Sequence, residues 1–461
     1  MLISYIITIE EKKMKKEVIV TIDHLTNDGV GVAKIEKKPL YVKNCFPLEK
    51  LKVCIDFEGK RNIYGHIQHC IEANPNRVQP ICSVYEQCGG CQLSFMNYQA
   101  QLQFKQSIVK RIFQDAGFDQ IMVHSCIGME NPYAYRNKVQ TPIQLKNKKI
   151  VAGFYKENTH DLIAFDYCHV QSKESNFIIQ SVILAMEENK IPPYNEDKQT
   201  GVIRHLLIRQ SKKEWMLVLV TAMDSFPGRN NFIQSIKKRI PYLTTIVQNI
   251  NPRKTNVILG QKERILYGKG YIVDTLLSLS YKISPKSFYQ INKIQTEKLY
   301  QKAIELAQLS KNDIILDAYC GIGTIGLSAS KYVKKVIGVE IVKEAILDAI
   351  NNAKNNGIKN CHFYCEDASK FIVEEATRFD IVFVDPPRKG CDRIFLDSLI
   401  QKKVNKIIYI SCNPATQARD IAYLNQHGYT FNEVYPFDMF PQTYHVESIA
   451  LLSKLKSDKT Y

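Results

Sequence analysis

From residue 290 to the C-terminus, short apolar runs alternate with stretches whose apolar residues recur at helical spacing. The runs at 314–316, 335–339, 362–364, 381–384 and 407–410 are mostly apolar and β-branched, as strands buried on both faces are. Helical stretches separate them, for example 343–355 and 415–427. This alternation predicts an α/β fold, a parallel doubly wound sheet with right-handed crossovers. Two last runs, 431–435 and 448–452, have no helix between them and are expected to form an antiparallel hairpin at one edge. Upstream the period shortens. Residues 14–73 hold short strands at 18–20, 31–33, 40–42 and 51–55, divided by Asn27-Asp28-Gly29, Lys37-Lys38-Pro39 and Glu58-Gly59. Strands of this size and spacing suggest a small closed barrel of the OB type, suited to an oligonucleotide. A linker at 74–80 and a helix at 98–116, with Leu102, Ile108, Val109, Ile112 and Phe113 along one stripe, lead into a strand-rich middle region. The expected domains are therefore 14–73, 74–285 and 286–461.

Composition narrows the class. No apolar run approaches the ~20 residues of a membrane span, so no membrane partner is expected. Residues 2–9 are apolar but short, lack a basic leader and end in Glu10-Glu11, so they are not read as a signal peptide and the expected location is cytoplasmic. The formal charge of +16 favours a polyanionic partner, most simply nucleic acid. Disulfides rarely persist in such a compartment, yet the chain has 13 cysteines. Cys45, Cys54, Cys70, Cys126, Cys361, Cys365 and Cys391 stand alone and are expected to act as small apolar residues. Cys82, Cys88 and Cys91 cluster.

Three loops carry chemistry, each following a predicted strand of the C-terminal sheet. Open α/β sheets place their sites at the carboxyl ends of such strands. The first loop, Asp317-Ala318-Tyr319-Cys320-Gly321-Ile322-Gly323-Thr324, is a glycine turn able to hold a nucleotide-like cofactor. Asp317 would repel a pyrophosphate but can face an ammonium group, which points to S-adenosylmethionine. Glu340, ending the next strand, can accept both ribose hydroxyls. The second loop, Asp385-Pro386-Pro387-Arg388, is of a kind found in methyltransferases acting on planar bases. Enzymes that methylate exocyclic amines usually carry Tyr or Phe where this chain has Arg388, which argues against that reaction. The third, Ser411-Cys412-Asn413-Pro414, presents a thiol. Thiolate addition to C6 of a uracil would make C5 a nucleophile, which is covalent catalysis. The thiolate is the reactive form, so the site is expected to lower the Cys412 pKa. Glu447 opens the apolar terminal strand, where a buried carboxylate could serve as a base.

Taken in order, these motifs resemble those of the RNA (uracil-5)-methyltransferases, in the branch with an N-terminal TRAM domain that modifies ribosomal RNA. The resemblance runs from about residue 14 to 452. It also rests on Gly29-Val30-Gly31-Val32-Ala33, Tyr135-Arg136-Asn137-Lys138, Ser287-Phe288-Tyr289-Gln290-Ile291-Asn292 and His445-Val446-Glu447. It implies a Rossmann-like S-adenosylmethionine methyltransferase domain behind an OB-like TRAM barrel and a strand-rich middle domain. By the same likeness Gln290, Tyr319, Glu340, Asp367 and Asp385 contact S-adenosylmethionine, Cys412 is the nucleophile and Glu447 removes the C5 proton. Thr324 stands where relatives carry Asn, and Phe46-Pro47-Leu48-Glu49 replaces a more usual Pro-Gly-Glu. Residues 1–13 have no counterpart in the family, which makes Met14 a candidate start.

Four thiolates can hold zinc or an iron–sulfur cluster. Three clustered ligands and one remote one differ from a zinc ribbon, and the resemblance implies a [4Fe–4S] cluster on Cys82, Cys88, Cys91 and Cys168. The C-x3-C-x2-C loop of radical enzymes is not the spacing here. The expected function is S-adenosylmethionine-dependent methylation of a uridine C5 in RNA, with 23S rRNA favoured over tRNA. The rival from another class is a catalytically silent Fe–S RNA-binding or assembly factor. No protein partner is implied, and a monomer is expected.

Overall fold

The computed structural model describes residues 16–156, 159, 161–255 and 257–455; residues 1–13 and the candidate start Met14 lie outside them. The chain divides into two compact units, 1–80 with 92–100 and 81–91 with 101–461.

In the first unit, six strands form one sheet in the order Glu17–Thr21, Lys50–Glu58, Ile63–Glu72, Lys38–Val42, Gly31–Ile35, His24–Leu25. Its core is Ile22, Ala33, Leu40, Val42, Cys45, Leu51, Val53 and Ile63. Gly31 is required by packing, since a Cβ there would lie 2.1 Å from the Cys45 sulfur. In the Phe46–Glu49 turn, Leu48 adopts φ +67, a conformation glycine takes without steric cost. Glu49 holds the turn by accepting from the Phe46 amide at 2.9 Å and pairing with both Nε and Nη2 of Arg77 at 2.6 Å. On the outer face, Phe57, Tyr64 and Tyr41 form a row across three adjacent strands. Tyr41 stacks on Tyr64 at 5.4 Å, and Phe57 lies 6.3 Å from Tyr64 on its other side.

The second unit contains two large sheets. The middle region, strand-rich as expected, is a seven-stranded sheet running from Leu162–Ala164 through Lys149–Tyr155, Lys138–Lys146, Ile203–Gln210, Trp215–Thr221 and Thr245–Ile250 to Lys262–Tyr267. Helices Lys173–Glu188 and Arg229–Arg239 pack on it.

The C-terminal sheet has nine strands. Its parallel part runs Cys361–Cys365, Lys335–Glu340, Ile314–Ala318, Ile381–Val384, Lys406–Ser411, and then Glu447–Lys454 and Glu433–Phe437 follow antiparallel to one another. Succession reverses between Ile314–Ala318 and Ile381–Val384, which creates the crevice where doubly wound sheets hold ligands. Period-two alternation sends neighbouring residues to opposite cores. Ile315, Phe383, Ile408 and Ile410 pack under the helices Lys293–Ala307, Thr324–Ala329 and Lys343–Asn355. Leu316, Val382, Val384, Ile407 and Tyr409 pack under Ala368–Glu374, Arg393–Gln401 and Pro414–Gln426. The expected terminal hairpin is antiparallel but not the outermost pair. Met122–Val123 adds a short parallel strand beyond Glu433–Phe437, and two residues are too few to show any period. Cys365 departs from the apolar role expected of it, since it is exposed on the edge strand.

Candidate active site

The loop expected to hold the cofactor is built by backbone strain and glycine. Tyr319 adopts φ +64, as unfavourable for an aromatic residue as it is free for glycine, and Gly321 and Gly323 continue the left-handed path. Residues held this way cluster at ligand clamps. Tyr319, Gly321 and Thr324 line one cavity together with Phe288, Gln290 and Asp385. Three of the five residues expected at the cofactor therefore meet there. Glu340 turns its carboxylate towards the same loop, accepting from the Gly321 amide at 3.2 Å and the Val342 amide at 2.9 Å. Asp367 caps helix Ala368–Glu374, accepting from the amides of Ser369 and Lys370 at 3.0 and 3.2 Å. It also acts electrostatically on Tyr319.

Asp317, below the loop, is buried. Its Oδ2 accepts from the Gly326 amide at 2.7 Å, and its Oδ1 has no partner. A buried carboxylate oxygen without a donor is costly. Burial, and then the nearby Asp385 and Glu340 carboxylates, raise its pKa to about 7. An orphaned acceptor among three acidic groups fits a cationic ligand such as S-adenosylmethionine, which carries a sulfonium and an ammonium.

The two remaining loops are tied together through one carbonyl. The Arg388 carbonyl accepts from Asn413 Nδ2 at 3.0 Å and from Thr416 Oγ1 at 3.3 Å. Asn413 also caps helix Pro414–Gln426 by accepting from the Ala415 amide at 3.2 Å. Cys412 thus sits between a strand end and a helix N-terminus, half-buried and un-bridged. Glu447, at the start of its strand, is buried. Glu447 and Asp385 lie close enough to Cys412 to raise its pKa, and Asp385 close enough to Glu447 to raise that of Glu447.

The expected depression of the Cys412 pKa is not found. Burial first, then the Glu447 and Asp385 carboxylates, push the thiol up to about 11, against a smaller opposing effect of Arg388. A helix N-terminus favours a thiolate, but here two like-charged neighbours and a half-apolar setting outweigh it. Burial raises the carboxyls of Asp385 and Glu447 too, with Asp385 adding to the effect on Glu447. The site thus favours neutral forms while it holds no cation. His445, two residues before Glu447, is held neutral near pKa 4 by burial and by Arg388, Lys105 and Arg136. Its Nδ1 can therefore accept from Arg388 Nη2 at 3.4 Å. Sequence reasoning gave His445 no role. The basic residue that departs from the stacking position, Arg388, was the signal that could have found it.

Cys82, Cys88, Cys91 and Cys168 are all half-buried. Burial raises Cys88; Cys91 rises to about 12, burial first and Cys168 next, and Cys168 to about 11. Each of these is affected by other members of the four, and Arg136 opposes the rise in all three. Among the described residues, however, no three Cys, His, Asp or Glu side chains stand close enough to hold a metal ion. The thiols gather without forming a coordination shell.

Comparison with known proteins agrees with the site. Residues 237–455 match the tRNA (Uracil-5-)-methyltransferase family. An uncharacterized RNA methyltransferase of Halalkalibacterium halodurans is 43% identical over 95% of this chain and 97% of its own length. One from Staphylococcus epidermidis is 41% identical over 98% of this chain and all of its own. Among solved structures, the Pyrococcus abyssi tRNA (uracil-54, C5)-methyltransferase in complex with S-adenosyl-L-homocysteine aligns at a TM-score of 0.76 and 29% identity, over 94% of this chain and 100% of that one. No helix among the described residues is long and apolar enough to cross a membrane. With relatives that match over nearly the whole of both chains, this chain belongs to the RNA (uracil-5-)methyltransferase family and is an S-adenosylmethionine-dependent enzyme.

Proposed function

We propose that the enzyme forms 5-methyluridine in structured RNA, with 23S rRNA as substrate, through a covalent adduct between Cys412 and C6 of the target uracil. The carrying observation is the convergence of Cys412, Asp385 and Glu447 beside the cavity lined by Gln290 and Tyr319. S-adenosylmethionine supplies an electrophilic methyl group on a positively charged sulfur. Its positive charge beside Asp317, Glu340 and Asp385 would favour ionised groups and offset the rise in the Cys412 pKa. Cys412 gives up its proton to solvent, and its sulfur bonds to C6 while the C5–C6 π electrons move into an enolate. C5 then takes the methyl group, the S–CH3 bond breaking with its electron pair left on sulfur, so that S-adenosylhomocysteine is the leaving group. Glu447, as carboxylate, accepts the C5 proton; the electrons of that C–H bond re-form C5=C6, the C6–S bond breaks and thiolate leaves. Gln290, Tyr319, Glu340 and Asp367 are assigned to cofactor contact, Asp367 while capping its helix.

The proposed domains are 14–73, 74–285 and 286–461. The first is assigned as the TRAM module, supported by the row of exposed Phe57 and Tyr64 and half-buried Tyr41, since aromatic faces stack unpaired bases. That module favours ribosomal RNA. The named activity of the Pyrococcus relative favours tRNA as the second reading. Cys82, Cys88, Cys91 and Cys168 are assigned to a [4Fe–4S] cluster; their mutual electrostatic influence supports this, and binding would require the thiols to draw together. The test is transfer of labelled methyl to unmodified rRNA and tRNA, followed by nucleoside analysis. Label in 5-methyluridine from 23S rRNA supports the reading, label only in tRNA moves the substrate, and label in neither sinks both.

A further inference from the structure

Glu447 reaches the site on a hairpin whose connection, residues 438–446, is long and irregular. Phe437 and Glu447 face each other in the ladder, so the position of Glu447 depends on how that connection is closed. Loops of this length normally lie in solvent. This one is fastened by buried polar groups from elsewhere in the chain. Lys105, fully buried on helix Tyr98–Asp115, pairs with fully buried Asp438 at 2.5 Å and donates to the Phe440 carbonyl at 3.1 Å. One turn earlier, Gln101 binds Gln442 twice. Its Nε2 donates to Gln442 Oε1 at 3.1 Å, and its Oε1 accepts from the Gln442 amide at 3.0 Å. Asn292 Nδ2 donates to the Met439 carbonyl and Tyr135 Oη to the Pro441 carbonyl, both at 3.1 Å.

Gln442 is where the loop is strained. It has φ +73, costly for a side chain with a Cβ, and is buried. The paired bonds from Gln101 hold that conformation. Directly after it, Thr443 folds back with Oγ1 on the Phe440 carbonyl at 2.8 Å, and its Oγ1 accepts from the His445 amide at 3.3 Å. Lys105 and Gln101 lie at i and i+4 spacing, one above the other on a single helix face. Together they form a buckle whose far side is the strand start carrying Glu447.

We infer that Gln101 and Lys105 are positioning residues for proton removal from C5, holding the 438–446 loop so that Glu447 meets the methylated intermediate. This rests on the proposed covalent reaction. A loosened buckle should leave addition and methyl transfer intact, because those use Cys412 and the cofactor loop. It should slow release of the adduct.

The test compares wild type, Gln101→Met and Glu447→Gln on two RNAs, one with uridine and one with 5-fluorouridine at the target. Fluorine cannot leave as a cation, so a competent enzyme stops at the methylated adduct on the second RNA whatever the state of its base. Wild type should give that adduct, and none on uridine RNA; failure to form it at all would sink the covalent reading itself. If wild type passes, Gln101→Met should form the fluorouridine adduct at the wild-type rate yet accumulate adduct on uridine RNA by at least about fivefold, with an unchanged KM for cofactor. Release from uridine RNA as fast as wild type would overturn the positioning role. Equal slowing on both RNAs, with lowered Tm, would reduce it to structure. Lys105→Met removes the cation from the buried Asp438 carboxylate and is therefore combined with Asp438→Leu, a double variant expected to show the same split between the two RNAs.

Discussion

Two regions of the second unit carry the candidate functional thiols, and burial raises the pKa in both. At the sheet edge Cys412 is alone, and after burial its neighbours that matter are carboxylates, Glu447 and Asp385. In the middle region Cys91 and Cys168 rise about as far, but the neighbours that add to the rise are other thiols, Cys82 and Cys88 for both and Cys168 for Cys91, and Arg136 opposes it in each. A raised thiol pKa therefore does not distinguish the proposed nucleophile from the proposed ligands. The identity of the surrounding groups does. A lone thiol beside proton acceptors can be activated by a cation and then leave again, as a reversible covalent step needs. Thiols beside thiols gain only from a centre they share.

Replacing the two kinds of thiol separates the roles. Cys412→Ala should cut methyl transfer by on the order of 10⁴-fold or more, as removal of a nucleophile does elsewhere, while RNA binding in gel shifts persists. Retained turnover would remove the covalent mechanism. Glu447→Gln should lower turnover by on the order of 10²-fold or more while leaving a methylated protein–RNA adduct stable to denaturing gels. Absence of the adduct would take the base role from Glu447. Cys91→Ser should leave activity per folded molecule within about tenfold of the parent, but abolish iron in the purified protein and lower its Tm. A loss as deep as that of Cys412→Ala in a folded Cys91→Ser protein would erase the contrast between the regions.

How much of this could be read from the chain follows from the range of the forces involved. The five parallel strands and the helices at Lys343–Asn355 and Pro414–Gln426 were legible because burial on both faces imposes continuous apolar runs. The loops bearing Asp317, Asp385 and Cys412 were legible because they follow such runs. Met122–Val123 was not, since its pairing with Glu433–Phe437 comes from distant chain. Gln101 and Lys105 were hidden more deeply. Polar residues on a helix read as a solvated face, and only partners more than 330 positions away turn that face inward. The pKa of Cys412 was misjudged for a similar reason: the need for a thiolate follows from the chemistry of the residue, whereas its burial and its neighbours Glu447 and Asp385 arrive through the fold.

The smallest expected effect is one of pH, and it tests whether carboxylates rather than thiols define the sheet edge. Asp317 has a native pKa near 7, above its ordinary value near 4. A carboxyl raised on folding contributes stability that is complete below its unfolded pKa and is lost as pH rises through the native one. Ligand-free protein should therefore lose stability from about pH 4 to about pH 7, with the steepest change midway and a plateau above 7. A cationic ligand prefers the ionised form, so affinity for S-adenosylmethionine should move the opposite way and tighten several-fold, up to about tenfold, over the same interval. S-adenosylhomocysteine lacks the sulfonium charge and should tighten less. Asp317→Asn keeps an acceptor for the Gly326 amide but cannot ionise, so it should flatten both curves and leave the Cys91 and Cys168 thiols unchanged. Isothermal titration with both ligands at several pH values, beside Tm measured without ligand, would read the two trends. Parallel rather than opposed trends would mean that another group titrates, and the sheet edge would then lose the electrostatic character that sets it apart from the thiol cluster.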